Sequence, residues 1–232
     1  MSTHLVKHQK MTKRSIKEDA LVTAAFRATE VWERHGRAIL IGVGAVVLVA
    51  VLAVFVMRTR AQSEEKAQSE LFRAVLSMAQ GDYVTASPML KELIDNSAGT
   101  SAARDAMRYL GDASMAQGKP AEAATWYQKY IDKAGGDKSA ALAGVWGLAA
   151  AQENNKAFAE AAAAYGDAAK RSETDNERGR AMLAQARCYL RGGQTAKAIE
   201  VYKAVVALPL AEQPIKDAAN ARIGEFQGAA TP

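Results

Sequence analysis

The sequence predicts an all-α protein: a single N-terminal transmembrane helix, then a solenoid of helical hairpins built from four repeats plus a capping helix. Three observations carry that expectation. Ala38 to Met57 reads AILIGVGAVVLVAVLAVFVM, twenty residues without a charged or strongly polar side chain. Beyond Arg60 the composition turns to Ala, Gln, Glu and Lys with short glycine-containing breaks, and no run alternates apolar and polar residues as a strand would. Finally, one pattern returns four times, starting at Ala79, Ala116, Asn154 and Arg191, with periods of 37, 38 and 37 residues.

Composition narrows the function classes. The 232 residues hold 30 Lys and Arg against 25 Asp and Glu, a formal net charge of +5. That charge is unevenly placed: residues 1–60 carry 10 basic and 4 acidic side chains, leaving 20 and 21 for residues 61–232. The larger part is therefore nearly neutral and shows no arginine-rich stripe with interleaved aromatics, so nucleic-acid binding is not expected. The single cysteine, Cys188, excludes an internal disulfide framework and any multi-thiolate metal site. Mid-helix between Ala186 and Leu190, it reads as a small buried hydrophobe. All three histidines, His4, His8 and His35, precede residue 36. The rest of the chain has no imidazole for acid-base or metal chemistry, and no phosphate-cradling loop or catalytic triad is visible. No catalytic residue, cofactor or metal is expected, and the chain does not read as an enzyme.

The elements follow in order. Residues 1–37 form a basic tail. Met1 to Arg14 is polar and aperiodic, which points to disorder over anionic headgroups. Ser15 to His35 has Ile16, Leu21, Ala24, Ala25, Ala28, Val31 and Trp32 at helical spacing, Ser15 as N-cap, Glu18 three residues on, and Gly36 as a stop. That helix can lie in the membrane interface or be solvated. Residues 38–57 are the transmembrane segment, long enough at ~1.5 Å per residue to cross a hydrocarbon core of roughly 30 Å. A cleaved signal peptide fits less well than an uncleaved anchor, because the charged region before it is long and VMRTRAQ offers no small-x-small site. Translocating the tail would carry eight Lys and Arg across the bilayer, so the N-terminus is placed in the cytoplasm. Residues 58–66 connect to the repeats, either as continuous helix or with a break near Arg60 to Ser63.

Within residues 67–208 a small residue recurs in each second helix, at Ala86, Ala123, Ala161 and Ala198. Another lies twelve residues upstream, at Ala74, Gly111, Ala149 and Ala186. Two small residues on either side of a tight turn let antiparallel helices approach closely. One helical turn beyond each second-helix alanine stands a bulky residue, Leu90, Tyr127, Tyr165 or Tyr202. The turns hold Gly81 with Asp82, Gly118 with Pro120, and Gly192 with Gly193, but Asn154 and Asn155 in the third repeat. Residues 209–232 supply a last helix from Pro214 to about Phe226, with Ile223 and Gly224 in phase, as the cap that a solenoid requires.

These features resemble the tetratricopeptide repeat, whose signature places two small residues twelve apart with an aromatic four further on. The departures are a period above 34, Arg73 and Gln185 where Leu110 and Leu148 stand in the other repeats, and a closing proline that is missing or shifted to Pro209. The resemblance implies a concave surface lined by Asp105, Arg108, Asp112, Met115, Trp146, Arg180, Leu183, Arg187, Leu190 and Arg191. Of these, Arg108, Asp112, Met115, Trp146, Arg180, Leu183, Arg187 and Arg191 are the candidate partner-binding residues. Arg180, Arg187 and Arg191 share one stripe and, with Trp146, could hold an acidic or C-terminal segment of a partner. Leu71 and Val75 stand where chaperone-tail-binding repeats carry polar clamp residues, so that ligand class is not implied.

The tail, anchor and alanine-rich repeats together also resemble the YfgM-type ancillary subunit family of the Sec translocon. That resemblance implies a single-pass protein of the bacterial inner membrane with a periplasmic repeat domain, working as a noncatalytic scaffold. The partners implied are translocon subunits, a periplasmic chaperone or prolyl isomerase, and client segments. An assembly factor for an electron-transfer, pilus or division apparatus, or a regulator facing the cytoplasm, fits the same residues. The Ala38 and Gly42 pair leaves oligomeric state open.

Overall fold

The computed structural model describes the backbone of residues 13–228 and the side chains of residues 32–38 and 40–226. Its elements are α1 (Lys13–Ala79), α2 (Tyr83–Asn96), α3 (Ser101–Ala116), α4 (Pro120–Lys133), α5 (Lys138–Asn154), α6 (Phe158–Arg171), α7 (Asp175–Arg191), α8 (Thr195–Val206) and α9 (Gln213–Gly228). Among the described residues there is no strand. The chain divides into two compact units, residues 1–59 and 60–232.

In the first unit, α1 is long and apolar enough to cross a membrane. Its described apolar side chains from Leu40 to Met57 are exposed, with no protein packed around them. An all-round apolar helix without protein cover is suited to lipid, where the internal hydrogen bonds of a helix satisfy the backbone. Just past the span, the Thr59 hydroxyl donates back to the carbonyls of Phe55 and Val56 at 3.1 and 3.0 Å, so this polar group is satisfied within its own helix. Gly36 does not end a separate helix as expected, and lies inside α1 instead. A mid-helix glycine costs about 1 kcal/mol relative to alanine, too little to stop a helix propagated from both sides. Arg60 to Ser63 is likewise helical. The readings of the basic tail and of an amphipathic face over Ser15 to His35 rest on side chains before Trp32, outside the described residues.

The second unit is a row of antiparallel hairpins: the end of α1 with α2, then α3/α4, α5/α6 and α7/α8, closed by α9. The residues twelve apart are buried in every pair: Ala74 and Ala86, Gly111 and Ala123, Ala149 and Ala161, Ala186 and Ala198. Leu90, Tyr127, Tyr165 and Tyr202 are buried beside them. Tyr127 shows why small residues are needed. Its ring lies between Gly111 and Gly147, and a Cβ added at Gly111 would stand 2.8 Å from the ring.

Each hairpin turn has the same construction. The second residue after the first helix takes positive φ, at Gly81, Gly118, Lys156 and Gly193. The next amide bonds back to the carbonyl five residues earlier, from Asp82 to Ser77, Lys119 to Ser114, Ala157 to Gln152 and Gln194 to Tyr189, at 2.8–3.1 Å. This is a Schellman closure repeated four times. The third turn, which lacks glycine in the sequence, therefore keeps the geometry with a lysine. Between repeats, Thr100, Asp137 and Thr174 cap α3, α5 and α7 by accepting from Ala103, Ala140 and Glu177 amides at 3.0–3.2 Å.

The last helix packs Ile215 and Ala219 against Ala186, Ala198, Tyr202 and Val205, with Ile223 and Phe226 half-buried alongside. Gly224, expected to share the small-residue register, is exposed with open space around it. Ala219 makes the close contact instead, 38 residues after the buried Ala181 of α7.

Candidate functional site

Helices α3, α5 and α7 lie side by side and present Arg108, Asp112, Trp146 and Arg180 to one groove of about 680 Å³, with Leu142 and Glu177 beside them. These are four of the eight residues marked in the sequence. The Arg108 guanidinium donates to Asp112 Oδ2 at 3.1 Å and lies 4.1 Å from the centre of the Tyr109 ring. The Tyr127 hydroxyl donates to Asp112 Oδ1 at 2.5 Å. Burial, reinforced by that hydrogen bond, pushes the Tyr127 phenol well above its usual range, so it stays a donor. Trp146 is half-buried and meets Tyr165 edge to face, with ring centres 5.4 Å apart. Arg180 and Glu177 are exposed and form no ion pair among the described residues. The groove thus offers an aromatic wall flanked by charges of both signs.

Leu183, Arg187 and Arg191 lie elsewhere. They line a second pocket, of about 400 Å³, with Leu190, Tyr202 and Arg222. Arg187 and Arg191 are held there by a residue that the sequence analysis did not single out, Glu153 at the end of α5. Glu153 is only 8% exposed and accepts four hydrogen bonds. Arg187 donates twice, Nε to Oε1 at 2.8 Å and Nη2 to Oε2 at 2.7 Å. Arg191 Nη1 adds a bond to Oε1 at 3.1 Å, and the Tyr165 hydroxyl one to Oε2 at 3.2 Å. The Arg187 bonds hold the Glu153 carboxyl below its usual range, outweighing the burial that would raise it. A signal for this residue does exist in the repeat alignment. The equivalent positions hold Met78, Met115 and Leu190, so Glu153 is a carboxylate where the other repeats are apolar. A charge at such a position requires a buried partner.

Met115 lines neither pocket. It is half-buried against Ala123, Tyr127 and Ala151, because it sits at the hairpin end of α3 where the helices close on each other. Leu71 is likewise a core residue, with Val75 packed on the same cluster. Cys188 is fully buried, and burial pushes its thiol up to about 11, which keeps it protonated near neutral pH. Among the described residues no three His, Cys, Asp or Glu side chains converge as a metal site would require.

Two solved structures share the hairpin arrangement. Both are crystal structures of nearly identical TPR-like repeats from a Podosopora anserina protein described as a kinesin light chain, one of them a point variant. Each superposes with a TM-score of 0.58 over 72% of this chain and 89% of theirs, at 21% identity for the variant and 20% for the other. At that identity the likeness is one of fold. No curated protein matches the sequence significantly. The sequence model of the tetratricopeptide repeat matches residues 73–138 and 145–213, more than half of the chain. Such repeats are protein-interaction scaffolds and generally noncatalytic. With the twelve-residue packing pairs and four identical hairpin closures in place, the chain belongs to the tetratricopeptide repeat family.

Proposed function

We propose that the protein is a membrane-anchored, noncatalytic scaffold whose exported repeat unit binds chaperone or client proteins beside the Sec translocon of a bacterial inner membrane. The observation that carries this reading is the pairing, in one chain, of an uncovered apolar span with a repeat unit that presents an aromatic groove flanked by both charges. Trp146 supplies the apolar anchor for a partner segment, while Arg180 and the Arg108–Asp112 pair set its charge preference. The orientation rests on the eight basic residues of the tail, which favour retention on the cytoplasmic side, and on the near-neutral repeat unit, which can be exported.

Purification of the full chain from gently solubilised membranes, with bound proteins identified by mass spectrometry, tests the reading. Sec subunits together with a periplasmic folding factor are expected, and their recovery should fall when Trp146→Ala and Arg180→Glu are combined. Protease added outside the inner membrane should cleave the repeat unit. Capture of a different envelope complex would keep the scaffold and replace its partner. A repeat unit protected from outside protease would reverse the topology and end the translocon assignment.

A further inference from the structure

The two ends of the row of hairpins differ. At the far end α9 turns Asp217, Asn220, Arg222 and Glu225 to solvent, the polar outer face that keeps a terminal repeat soluble. At the near end the outermost helix is the last part of α1, and it exposes two large apolar side chains one helical turn apart, Phe72 at 69% and Leu76 at 49%. The repeat register identifies this surface. The positions equivalent to Phe72 are Tyr109, Gly147 and Ala184, and those equivalent to Leu76 are Ala113, Ala151 and Cys188. In each later repeat the preceding hairpin covers them: Tyr109 packs on the cluster of Leu90 and Leu93, Gly147 and Ala151 lie against Tyr127, and Ala184 and Cys188 lie against Tyr165. Repeat one has the same face, and no hairpin precedes it within the unit.

The side chains on this face also indicate its occupant. A covering hairpin of the internal kind lowers a tyrosine onto small residues such as Gly147 and Ala151. Phe72 and Leu76 leave no such recess, and side chains of this size are matched by an equal pair meeting them along a seam. On the same face, toward Arg60, Ser69 and Glu65 are exposed with Lys66 adjoining. Glu65 has no ion pair among the described residues, and Lys66, 80% exposed, has only a 3.8 Å contact with Glu70. In a two-fold seam each Glu65 meets Lys66 of the second copy, so the stripe is complementary to itself in charge as well as in shape. A head-to-tail contact would instead set Phe72 and Leu76 against the polar face of α9.

We infer that this face is the contact between two copies of the chain, paired about a two-fold axis along the membrane normal, Phe72 on Phe72 and Leu76 on Leu76. The inference rests on the anchor in the proposed function, though not on the Sec partners. Two large apolar side chains per copy are few for a dimer free in solution, where specific interfaces bury roughly 800 Å² on each partner. Anchors in one bilayer supply what the area does not. Phe72 follows Met57 by fifteen residues in each copy, so both faces stand at the same level and at a local concentration far above that in bulk.

The test uses the full chain in isolated membranes, with Cys188→Ala removing the buried thiol and one cysteine introduced by Ser69→Cys or, as a control at the opposite end, by Asn220→Cys. Copper-phenanthroline oxidation should join two copies through position 69 and not through position 220. Adding Phe72→Glu and Leu76→Glu to Ser69→Cys should reduce the joined fraction about tenfold, because like charges then face each other across the axis. Helicity of the purified chain should not change, since both side chains are exposed. A chain that stays in carbonate-washed membranes and forms no link at position 69 overturns this inference alone, whereas a chain released by carbonate overturns the anchor and the pairing together. Equal linking at positions 69 and 220 would mean random collision, linking that survives both glutamate substitutions would mean association through the span alone, and a link from position 69 to a different protein would give the face another occupant; each of these results overturns the inference.

Discussion

At the scale of single residues, the three repeat tyrosines form a built-in comparison. Tyr165 gives its hydroxyl to the buried Glu153 carboxylate, whereas Tyr202 gives its own to no protein atom among the described residues. Tyr165→Phe is therefore expected to cost about 1 kcal/mol in urea unfolding, and Tyr202→Phe to stay within about 0.5 kcal/mol of the parent. A similar loss from both would contradict the hydrogen-bond assignment. Glu153 gives a second test. Glu153→Gln leaves Arg187 and Arg191 facing a neutral amide and should cost about 2 kcal/mol, less than a fully buried pair because both arginines are half exposed. The same residue predicts a pH dependence. In the unfolded chain its carboxyl titrates near 4.5, and in the folded unit the Arg187 bonds lower that value. On acidification the unfolded chain takes up the proton first. The contribution of Glu153 is thus complete above the unfolded value and is lost as pH falls through the folded one. The urea midpoint of the parent should drop more steeply below pH 4.5 than that of Glu153→Gln. Arg187 and Arg191 could be marked as a surface stripe from spacing alone, but their acceptor lies 34 and 38 residues away in the chain. Helical periodicity carries no term for such a pairing.

Elements were the more legible level. A pair of small residues twelve apart is a local signal, since the turn between them is short and both helices are consecutive. Its consequence, close antiparallel packing with a bulky residue one turn on, appears in all four hairpins. Element ends were legible only where the chemistry was strong. Glycine marked three of the four hairpin turns. The third was hidden because Lys156 takes φ of 62°, a conformation a lysine adopts only when the surrounding closure enforces it. That strain predicts a stabilising substitution. The left-handed conformation costs a residue with Cβ about 1–2 kcal/mol, while glycine adds about 0.5–1 kcal/mol of unfolded-chain entropy. Lys156→Gly should gain about 0.5–1 kcal/mol, a rise in Tm of roughly 2–4 °C. Gly81→Ala, imposing the same strain where none exists now, should shift Tm in the opposite direction. In α9 the period holds for the helix start, 38 residues after that of α7, and for the packing of Ile223, whereas Gly224 beside it faces open space because neighbouring helix positions point about 100° apart.

For the repeat unit as a whole, the controlling fact is that its helices touch almost only their neighbours in chain order. The core is correspondingly divided into separate clusters, each shared by two or three consecutive helices, and none runs the length of the unit. Stability in such an array is close to a sum of repeat terms and nearest-neighbour interfaces, so damage at one end is not passed to the other in full. The capping helix is where this can be measured. Ile215 is buried against Val205 and Tyr202, and a Cβ at Gly179 would stand 2.8 Å from its side chain, so the contact is tight. Ile215→Ala removes three carbons from that contact, a change that costs about 2–5 kcal/mol in a packed core. In a unit that unfolds all at once, every slow amide would lose protection by that amount. Here the loss should fall on α9 and the facing turns of α7 and α8, while amides of α3 to α6 keep the protection they have in the parent. Hydrogen exchange of the full chain in detergent, read by mass spectrometry peptide by peptide, separates the two cases. A uniform loss would mean that coupling between repeats exceeds the cost of the substitution, and that the unit opens as one body. A loss confined to the end would mean that the cap can open while the helices that carry the Trp146 groove stay closed, so that a partner segment held in that groove is insensitive to damage at α9.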